Sequence, residues 1–227
     1  MKPTIYHLSH IDLDGYSCQL IMEYTPYTIF SFNANYGAEV LERLNEILEA
    51  LKVATTPSLI FITDLNLTAD EARWLNREVE RLNEKGKQIT ITLRDHHGSG
   101  QESANKYSWY FLDTEKCATK LVYEYAKEVF ELDEPEWMAK YVDVVNAVDL
   151  WHQDQVENFE YGKVCMRLVT ETRELNRVVF GDEDRKYKVA LLKEAAQMVH
   201  ETRANIVLDE KIHALKKNFL EKTKMTR

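Results

Sequence analysis

Apolar residues recur along this chain with two periods, and the switches between them mark its elements. The stretch Thr4 to Cys18, TIYHLSHIDLDGYSC, opens as a short apolar strand and runs into polar residues closed by Gly15. Tyr16 to Tyr24 then reads as a helix with Cys18, Ile21 and Met22 on one side. Tyr27 to Asn33 is β-branched and aromatic at strand length, whereas Ala38 to Lys52 places Val40, Leu41, Leu44, Ile47, Leu48 and Leu51 at helical steps. Ser58 to Thr63 is almost wholly apolar, as in a strand buried on both faces of a parallel sheet. A capped helix follows, with Thr68 ahead of Asp70 and Glu71, Trp74, Leu75, Val79 and Leu82 inward, and Gly86 as its stop. Gln88 to Leu93 is a fourth strand and Tyr107 to Leu112 a fifth.

This alternation predicts an α/β fold, a parallel sheet flanked by helices and joined by right-handed crossovers. A helical region follows from about Cys117. Within it EPEWMAKYVDVVNAVDLW turns Met138, Tyr141, Val142, Val145 and Val148 inward and carries Asp149 at its end. From Asp182 onward the chain reads as one long helix, with Val189, Leu192, Ala196 and Val199, then Leu208, Ile212, Leu215 and Phe219, at three- and four-residue steps. Arg203 and Asn205 make that seam imperfect.

Composition narrows the classes of function. The 227 residues are 44% hydrophobic and 30% charged, as in ordinary globular proteins. A net charge of −9 argues against a broad basic surface for duplex nucleic acid, though a local groove could hold a short strand. No apolar run approaches the roughly 18 residues of a membrane span, and the start MKPTIYHLSH has no signal-peptide apolar region. A cytoplasmic location is expected. Cys18, Cys117 and Cys165 are scattered and read as buried free thiols.

In open parallel sheets the ligand crevice lies off the carboxyl ends of the strands. The first strand ends at His10, Asp12 and Asp14, the third at Asp64, and the fourth at Arg94, Asp95, His96 and His97. Three strand ends thus deliver metal-type ligands to one edge. Like charges packed this closely repel, and a divalent cation would relieve them. The alternative for the first group is a solvated turn in which Asp14 caps a helix. Gly15 suits a sharp bend into that helix. Asp149 could be a hydrogen-bond partner at its helix C-terminus, but a negative charge is disfavoured there, and metal ligation would offset that.

His10-Ile-Asp12-Leu-Asp14-Gly15, Asp64, the triplet Asp95-His96-His97 and Asp149 resemble, in order and spacing, the four motifs of the DHH phosphoesterase superfamily. RecJ exonucleases, family II pyrophosphatases, nanoRNases and cyclic-dinucleotide phosphodiesterases belong to it, and SHIDLDG is most similar to the nanoRNase B branch. The match spans roughly residues 4 to 152. The resemblance implies two divalent ions, Mn²⁺ or else Mg²⁺, held by His10, Asp12, Asp14, Asp64, His96 and Asp149, with Asp64 bridging. It implies a metal-bridged hydroxide attacking a phosphodiester, His97 facing the phosphate, and Asp95 orienting the histidines. Oxygen and imidazole ligands suit these metals. The expected substrate is a short single-stranded oligonucleotide cleaved to 5′-mononucleotides. Cyclic nucleotides, cyclic dinucleotides or pyrophosphate are the rival substrates, and a non-catalytic nucleotide-binding module the rival of another class. Family members carry a second, substrate-gripping domain. On that pattern residues 1–180 form the catalytic domain and 181–227 a helical linker toward a domain absent from this chain, with an exposed face suited to a homodimer.

Bland readings serve most other candidates. His7 reads as a satisfied sheet histidine, and His200 and His213 as solvated; His152 either lines the site or ends a helix. Arg94 either contacts the substrate phosphate or pairs with an acid. The turn Gly98 to Gly100 suits a flexible loop or a phosphate approach, and Trp109, Tyr110 and Trp151 suit core packing or base stacking.

Overall fold

The computed structural model describes residues 2–172 and 184–225. They form two compact units, Met1–Asp133 and Glu134–Arg227. In the first, β1 (Thr4–Ser9), α1 (Leu13–Met22), β2 (Ile29–Asn33), α2 (Ala38–Val53), β3 (Ser58–Thr63), α3 (Ala69–Glu84) and β4 (Ile89–Asp95) follow one another, then α4 (Gln101–Lys106), β5 (Tyr110–Leu112) and α5 (Ala118–Val129). The five strands pair in parallel in the order β2-β1-β3-β4-β5. The predicted parallel sheet flanked by helices is therefore present.

Strand side chains alternate between faces, and this sorts the two helical layers. Tyr6, Leu8, Ile60, Ile62 and Leu93 point to one face, where they share a core with Val40, Leu44, Ile47 and Leu51 of α2 and Leu75, Val79 and Leu82 of α3. Each such fully buried Leu or Ile contributes roughly 2 kcal/mol. On the other face the His7 and Phe61 rings lie 4.9 Å apart, and Phe61 meets Tyr125 of α5 and Phe130 at its end. α1 packs beside α5. The expected capping box holds α3: Thr68 Oγ1 accepts from the Glu71 amide at 3.3 Å and Glu71 Oε2 from the Thr68 amide at 2.8 Å.

Three elements depart from expectation. Helix α1 starts at Leu13, three residues before Tyr16, because Asp12 caps it. Gly15 consequently lies inside the first helical turn and makes no bend; a Cβ there would stand 2.3 Å from the His10 carbonyl oxygen. Close approach, not turning, demands the glycine. The third departure is in the second unit, where α6 (Met138–Asp149), α7 (Phe159–Thr170), α8 (Asp184–Gln197) and α9 (Ala204–Met225) are described. The single helix expected from Asp182 is two, parted at Met198 to Arg203, where the Met198 and Val199 amides bond three residues back to Ala195 and Ala196. Asn158 Nδ2 donates to the Val199 carbonyl at 3.0 Å and stabilises that break. Asp182 itself, the boundary expected near residue 180, and the side chain of Phe219 lie outside the described residues.

Helices α4 and α7 are not visible in the hydrophobic pattern. Gly162 lowers the helix propensity of α7 by about 1 kcal/mol. Packing compensates, since any Cβ at Gly162 would lie 2.3 Å from Val148 Cγ2 of α6. All three cysteines are buried and free, as expected. Among the described residues no helix is long and apolar enough to cross a membrane.

Candidate metal centre

Parallel pairing brings the carboxyl ends of β1, β3 and β4 side by side, with Ser9 beside Thr63 and Thr63 beside Arg94. The residues just past those ends therefore meet. His10 Nδ1 lies 2.8 Å from Asp12 Oδ2 and 3.7 Å from Asp64 Oδ2. His96 Nε2 lies 3.4 Å from Asp64 Oδ1 and 3.6 Å from Asp14 Oδ2. Two groups of donors result, His10-Asp12-Asp64 and Asp64-His96-His97, each with its ligand atoms within 4.8 Å of one another. Asp64 is common to both.

Asp64 is the least comfortable residue of the unit. It has φ 55, a left-handed conformation that costs a residue with a Cβ about 1–2 kcal/mol. Its side chain is 1% exposed, and buried Oδ2 has no hydrogen-bond partner. Burial, then the charges of Asp14 and Asp12, push its carboxyl well above the usual range. A buried carboxylate oxygen left without a proton donor is expensive, and a cation beside it removes the penalty. The residues thus fit a hard divalent ion bound through oxygen and imidazole.

The two aspartates of the first motif are anchored by helix ends. Asp12 caps α1, its Oδ1 accepting from the Gly15 amide at 2.9 Å. Burial works against its ionised form, but the His10 contact and the Gly15 amide outweigh that and hold its pKa at about 2. Asp14 accepts at both oxygens from the start of α5, from the Thr119 amide at 2.7 Å and the Ala118 amide at 2.8 Å. Asp14 does accept backbone amides at a helix end, but that helix starts more than a hundred residues further along and Asp14 is buried, not part of a solvated turn.

Beneath these ligands runs a fully buried polar chain. Thr63 Oγ1 donates to Ser9 Oγ at 2.8 Å, and Ser9 Oγ donates to the carbonyls of Gly15 and Thr63, at 2.9 and 3.2 Å. With its own hydrogen spent on Ser9, Thr63 Oγ1 must accept from His7 Nε2, 2.8 Å away. His7 is a buried sheet histidine, as expected, bonded through Nε2. Ser9 ties the carbonyl of Gly15, next to Asp14, to that of Thr63, next to Asp64.

Asp95 lies at the end of β4, wholly buried; its Oδ1 accepts from His97 Nδ1 at 2.7 Å and its Oδ2 from the Tyr110 hydroxyl at 3.1 Å. Burial lowers the pKa of both histidines. Around His97 the Asp95 bond reverses the effect and leaves it raised, whereas His96 stays below its ordinary value. The Gly98–Gly100 turn is a 3-10 turn, and Gly100 leaves room for Tyr110: a Cβ there would meet the Tyr110 hydroxyl at 2.0 Å. Tyr110 is therefore a support for Asp95 and no base platform.

Arg94 turns to the α5 face, its guanidinium 4.5 Å from the Phe111 ring and 4.0 Å from Tyr125. Stacking accounts for its placement, and no phosphate contact is needed to explain it. Trp109 packs against Tyr107 and donates to Asn76 Oδ1 at 3.0 Å. In the second unit, Asp149 closes α6, Trp151 is 58% exposed beside Phe159, and His152, His200 and His213 are exposed.

Sequence reasoning missed Tyr36. It follows β2 at the same edge, its hydroxyl 3.0 Å from His97 Nε2 and its ring 4.7 Å from that of His10. Asn35, its neighbour, approaches His10 Nε2 at 3.4 Å. The signal available was position: Asn33-Ala34-Asn35-Tyr36-Gly37 is the one strand-end segment at that edge carrying no acid or histidine.

No family model matches the chain. A 3′,5′-cyclic-nucleotide phosphodiesterase of Helicobacter pylori is 44% identical over 217 residues, covering 94% of this chain. The chain is homologous to a phosphodiesterase. A second relative, the oligoribonuclease NrnB of Bacillus subtilis, is 25% identical over 96% of the chain. Both relatives are named for cleavage of nucleotide phosphodiesters, and the similarity extends along nearly the whole of this chain. The chain spans 62% and 61% of the length of these two relatives. A crystal structure of an uncharacterized Helicobacter pylori G27 protein, 44% identical, superposes with a TM-score of 0.87 over 96% of this chain and 64% of that one.

Proposed function

We propose that this chain is the hydrolytic part of a metal-dependent phosphodiesterase acting on nucleotide phosphodiesters. The observation that carries the proposal is the buried Asp64, common to two groups of ligand atoms and with an Oδ2 that has no hydrogen-bond partner. In this reading His10 and Asp12 serve one cation, His96 and Asp14 the other, and Asp64 lies between them. Asp149 enters as a ligand through its sequence motif. Bound divalent ions would supply Lewis acidity, activating water and neutralising phosphate charge; manganese or magnesium suits the donor set.

The protein's own groups do the rest. Asp95 fixes the tautomer and orientation of His97, so that Nε2 faces outward, toward the phosphate of a bound substrate. The chain linking His7, Thr63 and Ser9 keeps the Asp14 and Asp64 backbones in register before substrate arrives.

A 3′,5′-cyclic nucleotide is the first substrate to test, because the relative at 44% identity is named for that activity. Short oligonucleotides, the substrate favoured from the first motif, are supported by the relative named as an oligoribonuclease. With manganese, turnover of a 3′,5′-cyclic nucleotide, a dinucleotide RNA and pyrophosphate should be measured for the native protein and for Asp64→Asn. The expected result is hydrolysis of one of the two phosphodiesters, lost in the variant. Rates unaffected by the substitution would remove the proposed centre from the chemistry.

A further inference from the structure

Tyr36 occupies a place at this centre that neither the motifs nor the proposed ligand set explains. It is 42% exposed, an unusual state for a large aromatic side chain that also makes polar contact with a largely buried site. Its hydroxyl lies 3.0 Å from His97 Nε2 and 3.4 Å from Nδ1, the nitrogen that Asp95 holds. Its ring lies 4.7 Å from His10 and edge-on to His97 at 5.7 Å. The backbone is held as well: the Tyr36 amide donates to Asn35 Oδ1 at 2.9 Å, and Gly37 follows with φ 89, a conformation that glycine adopts without strain. Tyr36 thus lies against His97, within hydrogen-bond distance of Nε2, the ring nitrogen that Asp95 leaves free.

We propose that Tyr36 is a substrate-contacting residue, its hydroxyl exchanging His97 for a non-bridging oxygen of the phosphodiester. The inference rests on the phosphodiesterase reading. A phosphate oxygen is an anionic acceptor, and hydrogen bonds to ionised acceptors are roughly twice as strong as neutral ones. Exchange therefore favours the substrate and at the same time uncovers His97 Nε2. Since no atom of Tyr36 belongs to either group of ligand atoms, cation affinity should not depend on it.

Tyr36→Phe keeps the ring and deletes the hydroxyl, and Tyr36→Ala deletes both. Adenosine 5′-monophosphate binding to the manganese-loaded protein should be measured by calorimetry. Manganese affinity, and kcat and KM on bis(p-nitrophenyl) phosphate, complete the set. The expected result is a loss of about tenfold in mononucleotide affinity in Tyr36→Phe, as for a hydrogen bond to a charged group, with manganese affinity within twofold of native. Unchanged mononucleotide affinity in Tyr36→Phe would overturn the inference, as would a parallel loss of manganese binding, or a native protein that binds no mononucleotide. A native protein that binds the mononucleotide through Tyr36 but hydrolyses no phosphodiester would sustain the inference and overturn the phosphodiesterase reading.

Discussion

Asp64 concentrates the energetic cost of the centre in one residue: left-handed backbone, full burial and an oxygen without a donor. Asparagine tolerates the left-handed region and carries no charge to desolvate, whereas alanine meets the full steric penalty. Asp64→Asn should therefore abolish tight manganese binding while leaving the metal-free protein at least as stable as native. Asp64→Ala should be about 1 kcal/mol less stable than Asp64→Asn. Urea unfolding in chelator and calorimetric titration with manganese test the pair. Native manganese affinity in Asp64→Asn would dismiss the cation argument. Gly100 offers a second residue-scale test. The added methyl of Gly100→Ala collides with the Tyr110 hydroxyl and forces it off Asp95. A loss of about 1–3 kcal/mol in unfolding free energy is expected, together with a changed His97 titration in ¹H–¹⁵N spectra.

Among the elements, polar groups buried under the centre and those capping a surface helix should behave differently. Thr68 caps α3 at an exposed helix end and belongs to neither group of ligand atoms, although Asp64 precedes it by only four residues. Thr68→Ala should cost about 1 kcal/mol and leave manganese affinity unchanged. Ser9 joins β1 to β3 and to the first turn of α1, and its removal takes the acceptor from the Thr63 hydroxyl and a donor from two carbonyls. Ser9→Ala should cost about 1–3 kcal/mol and also weaken manganese binding, because Asp14 and Asp64 lose their common tie. Similar stability losses with divergent metal affinities would separate positioning from mere support; equal manganese affinities in the two variants would reduce Ser9 to a packing residue.

For the molecule as a whole, cation binding should appear as stability. Only the folded chain gathers His10, Asp12, Asp64 and His96, so a bound cation stabilises the folded state by mass action. At a hundredfold excess over its dissociation constant the gain is about 2.7 kcal/mol. Manganese should raise the thermal midpoint, chelator should reverse the shift, and Asp64→Asn should show neither effect. A midpoint indifferent to manganese in the native protein would contradict the proposed centre.

Strand and helix order were legible because each has its own period of apolar positions, and a parallel sheet follows from their alternation. The meeting of His10, Asp12, Asp64 and His96 was legible too, since a parallel sheet brings strand ends to a common edge. Gly15 was singled out correctly but for the wrong reason, because a backbone collision 2.3 Å away leaves no trace in local sequence. The partners of Asp14 lie more than a hundred residues downstream, Gly162 turns a weak helix into a tightly packed one, and Tyr36 has no motif around it. Arg94 adjoins the ligands in sequence, yet the strand's pleat turns it toward the aromatic rings. Periodicity and residue chemistry, being local, were written in the chain; the contacts that give those residues their roles exist only after folding makes distant segments neighbours.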